Sequence, residues 1–444
     1  MASEDSSDDS PDGSDEGFNK ALATVFAIVF VDLLGFGILI PIIPLYAEHF
    51  GANEFVVGLL LASYSLMQFL FAPVLGRLSD ERGRRPILLL SLFGSVVAWT
   101  LFGVADSLLF LFAARILAGV MGGNIATAQA YVADITPPED RAKGLGLIGA
   151  AFGLGFVFGP ALGGIFSSDA VLSFARTSLP AFVPITQFSL PSFVAAVICG
   201  VNLVVAAVVL PETRERQEES DDETPSHDRE SRLKRLARAF SNPELAGLIA
   251  SFFLLSLAFS SMESMFVLFT DQQYGFGPEM NGFVLAYVGV VIAIVQGGLV
   301  GRLTKRYGER TLALVGVGLE LVTLSSLPFS PVIGSYLPSI GPISGGLFVL
   351  LFILMPLAAG NGFANVSLTT LVSKSATEDT QGGAFGLTQS AGSIARAVGP
   401  IVAGALYAAV AYWLPFVLGG LLMLPIGYVL LTTFQAKGRP IAAD

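Results

Sequence analysis

Twelve uninterrupted apolar runs decide what this chain can fold into. They fall at 21–45, 55–76, 86–105, 108–130, 143–166 and 191–211, then at 245–270, 280–300, 310–330, 344–372, 383–408 and 411–433. A helix of about 20 apolar residues crosses the hydrocarbon core of a bilayer. Only helices and closed barrels satisfy their backbone polar groups there. The runs are continuous rather than alternating, so helices are predicted and barrel strands are not. The reading is an all-α membrane protein with twelve transmembrane helices, six on each side of a hydrophilic stretch at 212–243.

Charge supports the same solvent. Charged residues make up 13% of the chain, about half the usual share of a soluble domain, and too few to cover a water-facing surface. A soluble enzyme, a nucleic-acid binder and a disordered chain are excluded. One cysteine, Cys199, lies inside an apolar run, and the two histidines, His49 and His227, are far apart. That inventory offers no disulfide, no cysteine-based metal site and no nucleophile motif, so no enzyme, metal or cofactor is expected. The net charge of −11 is concentrated in an acidic tail at 1–20 and in 212–230, and arginine outnumbers lysine 18 to 6. A solvated tail accounts for this as well as a high-salt cytoplasm does.

Basic residues set the orientation. With the N-terminus inside, the inside segments hold 21 of the 24 lysines and arginines, the outside segments hold Arg176 alone, and Arg115 and Arg396 lie within spans. Both termini are therefore expected in the cytoplasm. The domains read as a tail at 1–20, a six-helix bundle at 21–211, a linker at 212–243, a second bundle at 244–433 and a tail at 434–444. Within the linker, Leu233, Leu236, Ala237 and Phe240 share one helical face, which predicts a short amphipathic helix on the inner leaflet.

The two sets of runs echo each other. Gly76-Arg-Leu-Ser-Asp-Glu-Arg-Gly-Arg-Arg85 joins spans 2 and 3, and Gly301-Arg-Leu-Thr-Lys-Arg-Tyr-Gly-Glu-Arg310 joins spans 8 and 9. Gly159-Pro160 with Gly163 in span 5 is matched by Gly399-Pro400 with Gly404 in span 11. The halves are thus parallel repeats. In the first loop, Gly76 and Gly83 allow a tight turn that holds Asp80 and Arg84 at the membrane edge. Arg84 is expected to pair with Asp134, and with Arg141 nearby this charge cluster reads as a conformational latch between the bundles. Span 5 carries Gly155, Gly159, Pro160, Gly163 and Gly164, small residues that let helices approach closely, with Pro160 kinking the helix.

Charges inside spans are costly, about 2.5–3.5 kcal/mol each. Asp32, Arg115, Glu263, Glu320 and Arg396 must therefore face a wet cavity or one another. Withdrawn from water, a carboxylate favours its neutral form, and a group that gains and loses a proton as its surroundings change is what proton coupling needs. Structural ion pairing of Asp32 or Glu320 with Arg115 or Arg396 is the plainer alternative. Gln68, Asn124, Gln129, Asn202, Gln296, Asn361, Asn365 and Gln389 are candidate cavity-lining residues or interhelical hydrogen-bonders.

Over residues 21–433 the chain resembles the major facilitator superfamily, and within it the drug:proton antiporters of the tetracycline-efflux type. The resemblance rests on the Gly76–Pro86 loop, on Arg115-Ile-Leu-Ala-Gly119 with Tyr131-Val-Ala-Asp134, on the Gly155–Gly164 stretch, which matches that branch's antiporter motif, and on Asp32-Leu-Leu-Gly-Phe-Gly-Ile-Leu-Ile-Pro41. It implies the two-bundle major facilitator fold and alternating access in a prokaryotic plasma membrane. It also implies a proton-driven export of small amphipathic or cationic molecules by a monomer, with the proton gradient as the energy source. Asp32, Asp80, Arg84, Arg115, Asp134, Gln296 and Glu320 fall where tetracycline exporters carry matching or like-charged residues. Those exporters have an acid in span 3 and a histidine in span 8, where this chain aligns Ala98 and Ile292, so a cargo other than tetracycline is expected. Asp32 is the leading substrate-facing carboxylate, with Glu320 and Glu263 as partners and Arg115 tuning Asp32. A proton-coupled symporter or uniporter for a sugar or metabolite, or a non-transporting receptor on the same fold, is the alternative.

Overall fold

A computed structural model describes residues 12–122, 124–136, 141–210, 242–339, 344–376 and 378–432. The tail at 1–11, most of the linker with its expected amphipathic helix, and 433–444 lie outside the described residues. Everything regular among them is helical: α1 Asp12–Leu39, α2 Ile43–His49, α3 Glu54–Arg82, α4 Arg84–Gly103, α5 Leu108–Met121, α6 Asn124–Ile135, α7 Arg141–Ser167, α8 Asp169–Ser178 and α9 Ser189–Val209 form the first half. The second half contains α10 Pro243–Tyr274, α11 Pro278–Ile294, a π-helical turn Val295–Leu299, α12 Val300–Tyr307, α13 Glu309–Ser326, α14 Ser330–Ser335, α15 Gly345–Ser375, α16 Glu378–Ala409, α17 Leu414–Leu421 and α18 Met423–Thr432. Among the described residues, 11 helical segments are long and apolar enough to cross a membrane.

Two expected spans are broken, and each break has a local cause. The first run is interrupted between Leu39 and Ile43. Pro41 offers no backbone N–H and disfavours helix in the residue before it, so the chain makes a turn in which Ile42 N donates to Leu39 O at 3.0 Å. The fourth run, read as one helix over 108–130, ends at Met121 and resumes at Asn124. Glycine weakens a helix interior by about 1 kcal/mol, and Gly122 and Gly123 stand side by side here. Gln68 satisfies the Gly122 carbonyl from α3, with Nε2 donating at 2.8 Å.

The internal repeat is visible in the backbone. Gly83 and Gly308 both have positive φ, at 96° and 79°, and Gly51 and Gly275 form a second such pair at 80° and 69°. Each pair occupies matching turns of the two halves. The arginine that closes the repeated loop also has one job in both. Arg85 Nη2 donates to Ala207 O near the end of α9 at 2.5 Å, and Arg310 donates through Nε to Leu430 O and through Nη2 to Leu431 O near the end of α18, both at 2.8 Å. The last helix of each half is thus capped by its own half's loop arginine, which satisfies carbonyls that a helix end leaves open.

The halves meet along two helix pairs, α3 with α16 and α7 with α11. At the end of the molecule that carries the Gly51 and Gly275 turns, backbones touch. A Cβ on Gly58 would lie 2.2 Å from the Pro400 carbonyl oxygen, one on Gly404 2.4 Å from that of Glu54, and one on Gly164 2.7 Å from that of Glu279. Towards the Gly83 and Gly308 end of the same helices, Cβ atoms on Gly76, Gly146, Gly149, Gly153, Gly383 and Gly386 would meet nothing within 4 Å. The two halves are packed together at one end and parted at the other.

Candidate functional site

Between the halves lies a mostly apolar cleft. Ile40 follows α1, Phe156 and Pro160 come from α7, Phe259, Met262, Glu263 and Phe266 from α10, and Leu285, Val288, Gly289 and Ile292 from α11. Leu354, Leu357 and Ala358 of α15 complete it. Both halves contribute, and Glu263 is the one ionisable side chain in an otherwise apolar lining. Two arginines, one from each half, lie close enough to interact with it electrostatically, Arg115 of α5 and Arg396 of α16. Among the described residues no direct ion pair joins Glu263 to either.

Tyr64 of α3 ties the cluster together. Arg115 stacks over its ring at 4.7 Å, an arrangement that favours a desolvated cation. Its hydroxyl is within electrostatic reach of Arg115, Asp32 and Arg396. Arg115 is buried, at 4% exposure, with Nη2 donating to Leu61 O at 3.4 Å and Nε without a partner. Arg396 is exposed, held by a 3.3 Å hydrogen bond from Nη2 to Ser393 Oγ. Asp32, Arg115 and Arg396 thus lie within electrostatic reach of one phenol, and the two arginines also reach Glu263.

The carboxylates expected to act together are placed apart. Asp32 is half-buried in a small hollow of the first half, with Ile28, Val29, Leu33, Leu88, Leu92 and Ala128, set back from the cleft. Glu320 is wholly buried in the second half, where Asn361 of α15 donates to Oε1 at 2.9 Å and Oε2 has no partner. Its partner is a neutral amide and not Arg115 or Arg396. Gln296 sits in the π-helical turn and is exposed. Asn202 is an interhelical hydrogen-bonder, with Nδ2 donating to Ile28 O at 2.8 Å. Asn124 opens α6 and Arg141 opens α7; their side chains lie outside the described part of the structure.

The pair expected between Arg84 and Asp134 is made, and the whole cluster lies within the first half and not between the bundles. Arg84 pairs through Nη1 with Asp80 and through Nε with Asp134, the latter at 3.0 Å, and Nη1 also donates to Ser79 Oγ at 2.8 Å. In the second half, Glu309 stands at the repeat position of Arg84 and pairs with Lys374 at 2.6 Å. The same corner of each half is therefore closed by an ion pair of opposite polarity.

The span 5 glycines serve two contacts at once. A Cβ on Gly155 would lie 2.9 Å from Leu33 Cβ, one on Gly159 2.5 Å from Gly37 Cα, and one on Gly163 2.2 Å from Ile38 O, all against α1. On the other side of α7, Gly282 of α11 packs against the Pro160 carbonyl and Gly164. The motif brings the helix bearing Asp32 and a helix of the opposite half into backbone contact with one α7.

A family model described as Major Facilitator Superfamily matches residues 25–400. The chain belongs to the major facilitator superfamily. This family consists of membrane transporters, and the superfamily member described here is not an enzyme. It is 32% identical over 393 residues to the tetracycline resistance protein, class C, of Escherichia coli, covering 85% of this chain and 87% of that one. To the multidrug resistance protein 2 of Bacillus subtilis it is 26% identical over 416 residues, with 94% and 95% covered. Among solved structures, the human organic anion transporter MFSD10 superposes with a TM-score of 0.61 at 25% identity, covering 93% of this chain and 99% of that one. A bacterial homologue of the lysosomal transporter Spinster, in an inward-facing and occupied conformation, gives 0.71 at 12% identity, with 96% and 99% covered, which speaks for the fold.

Sequence alone does not single out Tyr64 or Gln272 as parts of a site, whereas Asn361 is one of the interhelical hydrogen-bonders that sequence offers, with Glu320 as its partner. For Tyr64 the usable signal was Ser63-Tyr-Ser65, a polar triplet in an apolar run.

Proposed function

We propose that this superfamily member is a proton-coupled antiporter that exports small amphipathic or cationic molecules by alternating access, as a monomer in a prokaryotic plasma membrane. It has twelve spans in two six-helix halves at 21–211 and 244–433, and the lysine and arginine bias places both termini in the cytoplasm. The Gly83 and Gly308 end is then cytoplasmic and the cleft faces inward. The observation that carries this reading is Glu263, a lone carboxylate in an apolar cleft between the halves. Such a surface favours a molecule with an apolar body and a positive charge. Glu263 holds the cargo, and Asp32, linked to the cleft through Tyr64 and Arg115, carries the proton. The Arg84 cluster with Asp80 and Asp134 latches the cytoplasmic side when it closes. The tetracycline and multidrug resistance relatives support export.

A second reading rests on Arg396, which is exposed, and on the likeness to an organic anion transporter. In that case the cargo is a small organic anion and Arg396 holds it.

The test is uphill transport in proteoliposomes under a pH gradient, with a fluorescent lipophilic cation and a fluorescent organic anion as parallel cargoes. Wild type should concentrate the cation. Asp32→Asn should remain folded and let the cation equilibrate without concentrating it. Uphill transport by Asp32→Asn removes Asp32 from the coupling role, and accumulation of the anion alone selects the second reading.

A further inference from the structure

At the end where the halves are packed together, a polar knot crosses the seam. Gln272 of α10 is its centre. Its Nε2 donates to Glu54 Oε1 of α3 at 3.2 Å and to Glu48 Oε1 of α2 at 3.4 Å, both in the first half. Its Oε1 accepts from the Tyr407 hydroxyl of α16 at 2.8 Å. One amide therefore uses both donors on one half and its acceptor on the other. Asp271 and Glu54 are within electrostatic reach of Glu48, and Tyr407 is within reach of Glu48, Glu54, Asp271 and Tyr412. These are the titratable groups that face the knot. His49 turns away from it to stack with Phe50 and Phe188. Among the described residues, no ion pair involves Glu48, Glu54 or Asp271.

The knot lies where the backbones are closest. Glu54, whose side chain accepts from Gln272, also supplies the carbonyl that Gly404 approaches. Three carboxylates are therefore brought together only when this end is shut, and one neutral amide cannot cancel their charge. Parting the halves carries Glu48 and Glu54 away from Asp271 and disperses the repulsion into water. A proton on Glu48 or Asp271 relieves the same repulsion with the end still shut. Closing must therefore take up protons, and by linkage acid must favour the closed form.

We propose that Gln272 with Glu48, Glu54 and Asp271 forms a proton-sensitive latch on the outer face, which shuts when the carboxylates gain a proton from outside and loosens when they lose it. In the orientation inferred above, the carrier cannot turn back inward efficiently until an external proton has arrived. That makes the return step depend on the external pH independently of what is exported. At the other end, among the described residues, the ion pairs of Arg84 and Glu309 are each made within one half.

The experiment is a spin-label distance measurement on the full chain in lipid nanodiscs, without cargo, so that both faces see one pH and neither orientation nor cargo enters. Labels go on Ser178→Cys and Tyr336→Cys, exposed positions at this end of opposite halves, in a Cys199→Ala background. Wild type should show a short distance at pH 5 and a growing long-distance population at pH 8, with the ratio changing about tenfold, the effect of one unit of differential proton affinity. Glu48→Gln/Glu54→Gln/Asp271→Asn should stay short at both pH values. Gln272→Glu, which adds a fourth carboxylate, should be more open than wild type at pH 8 and close again at pH 5. Identical wild-type distances at the two pH values overturn the latch, as does a triple variant that keeps the full pH response. Should the triple variant not fold, Gln272→Glu decides alone, and a variant no more open than wild type at pH 8 overturns it.

Discussion

Replacing Glu263 by Gln is expected to weaken binding of a lipophilic monocation by about 30- to 150-fold while leaving the protein folded. The side chain lines the cleft and no direct ion pair holds it among the described residues, so the isosteric change opens no cavity and breaks no salt bridge. What is lost is the attraction between a carboxylate and a cation in a poorly hydrated place. Two unit charges 4 Å apart attract by about 4 kcal/mol at an effective dielectric of 20. Desolvating the cation takes back part of that, leaving about 2–3 kcal/mol, which corresponds to the stated loss at 1.4 kcal/mol per decade. Isothermal titration of purified protein with a quaternary ammonium dye measures it directly. Glu263→Asp should retain most of the affinity, since the charge stays and only its reach shortens. Unchanged affinity in Glu263→Gln means that the cation does not sit in this cleft.

The second large effect concerns the closed end. Gly164→Leu should cut transport by at least about tenfold and hold the Gly51 and Gly275 end apart. A Cβ at this position already comes within 2.7 Å of the Glu279 carbonyl oxygen on the opposite half, and backbone has no rotamer with which to give way. Over-packing costs about 1–3 kcal/mol. Here the cost falls on the closed state alone, because Gly164 meets α11 only when that end is shut. A penalty of that size shifts the ratio of closed to open by about 5- to 150-fold. The same label pair that reports the latch reports this shift, and cargo uptake reports its consequence. Gly146→Leu, at the parted end of the same helix where a Cβ meets nothing within 4 Å, is the matched control and should leave the closed end undisturbed. Full activity in Gly164→Leu contradicts the idea that this end must open and close.

Much of this was legible in the chain itself. The apolar runs gave the helices because lipid leaves a backbone no other way to satisfy itself. The repeated Gly-Arg-Leu loop revealed the two halves because its second glycine, Gly83 or Gly308, turns the chain with positive φ in both, whereas Gly76 and Gly301 lie inside helices. The charges inside spans pointed to the cluster because they are too costly to keep without use. Sequence could not show which of those charges share a space. Glu320 and Asn361 are 41 residues apart and meet only because α13 and α15 pack together. Glu263 lines the cleft and Asp32 a separate hollow, and an apolar run on every face carries no record of which side chains a helix turns inward. The breaks at Pro41 and Gly122 were marked by residue type, but hydropathy averages over them. Gln272 looked like one polar residue among several at a helix end, and only the approach of the other half gives it a role.

One measurement tests the central claim, that a single carrier exchanges its cargo for protons across the seam between its halves. Proteoliposomes loaded with a pH-sensitive dye, with no pre-set pH gradient and the membrane potential clamped, are given a lipophilic cation on one side. The expected result is that cation entry is accompanied by proton exit, seen as an alkaline shift inside that Asp32→Asn abolishes. Entry of the cation through the wild-type protein with no change in internal pH contradicts the account.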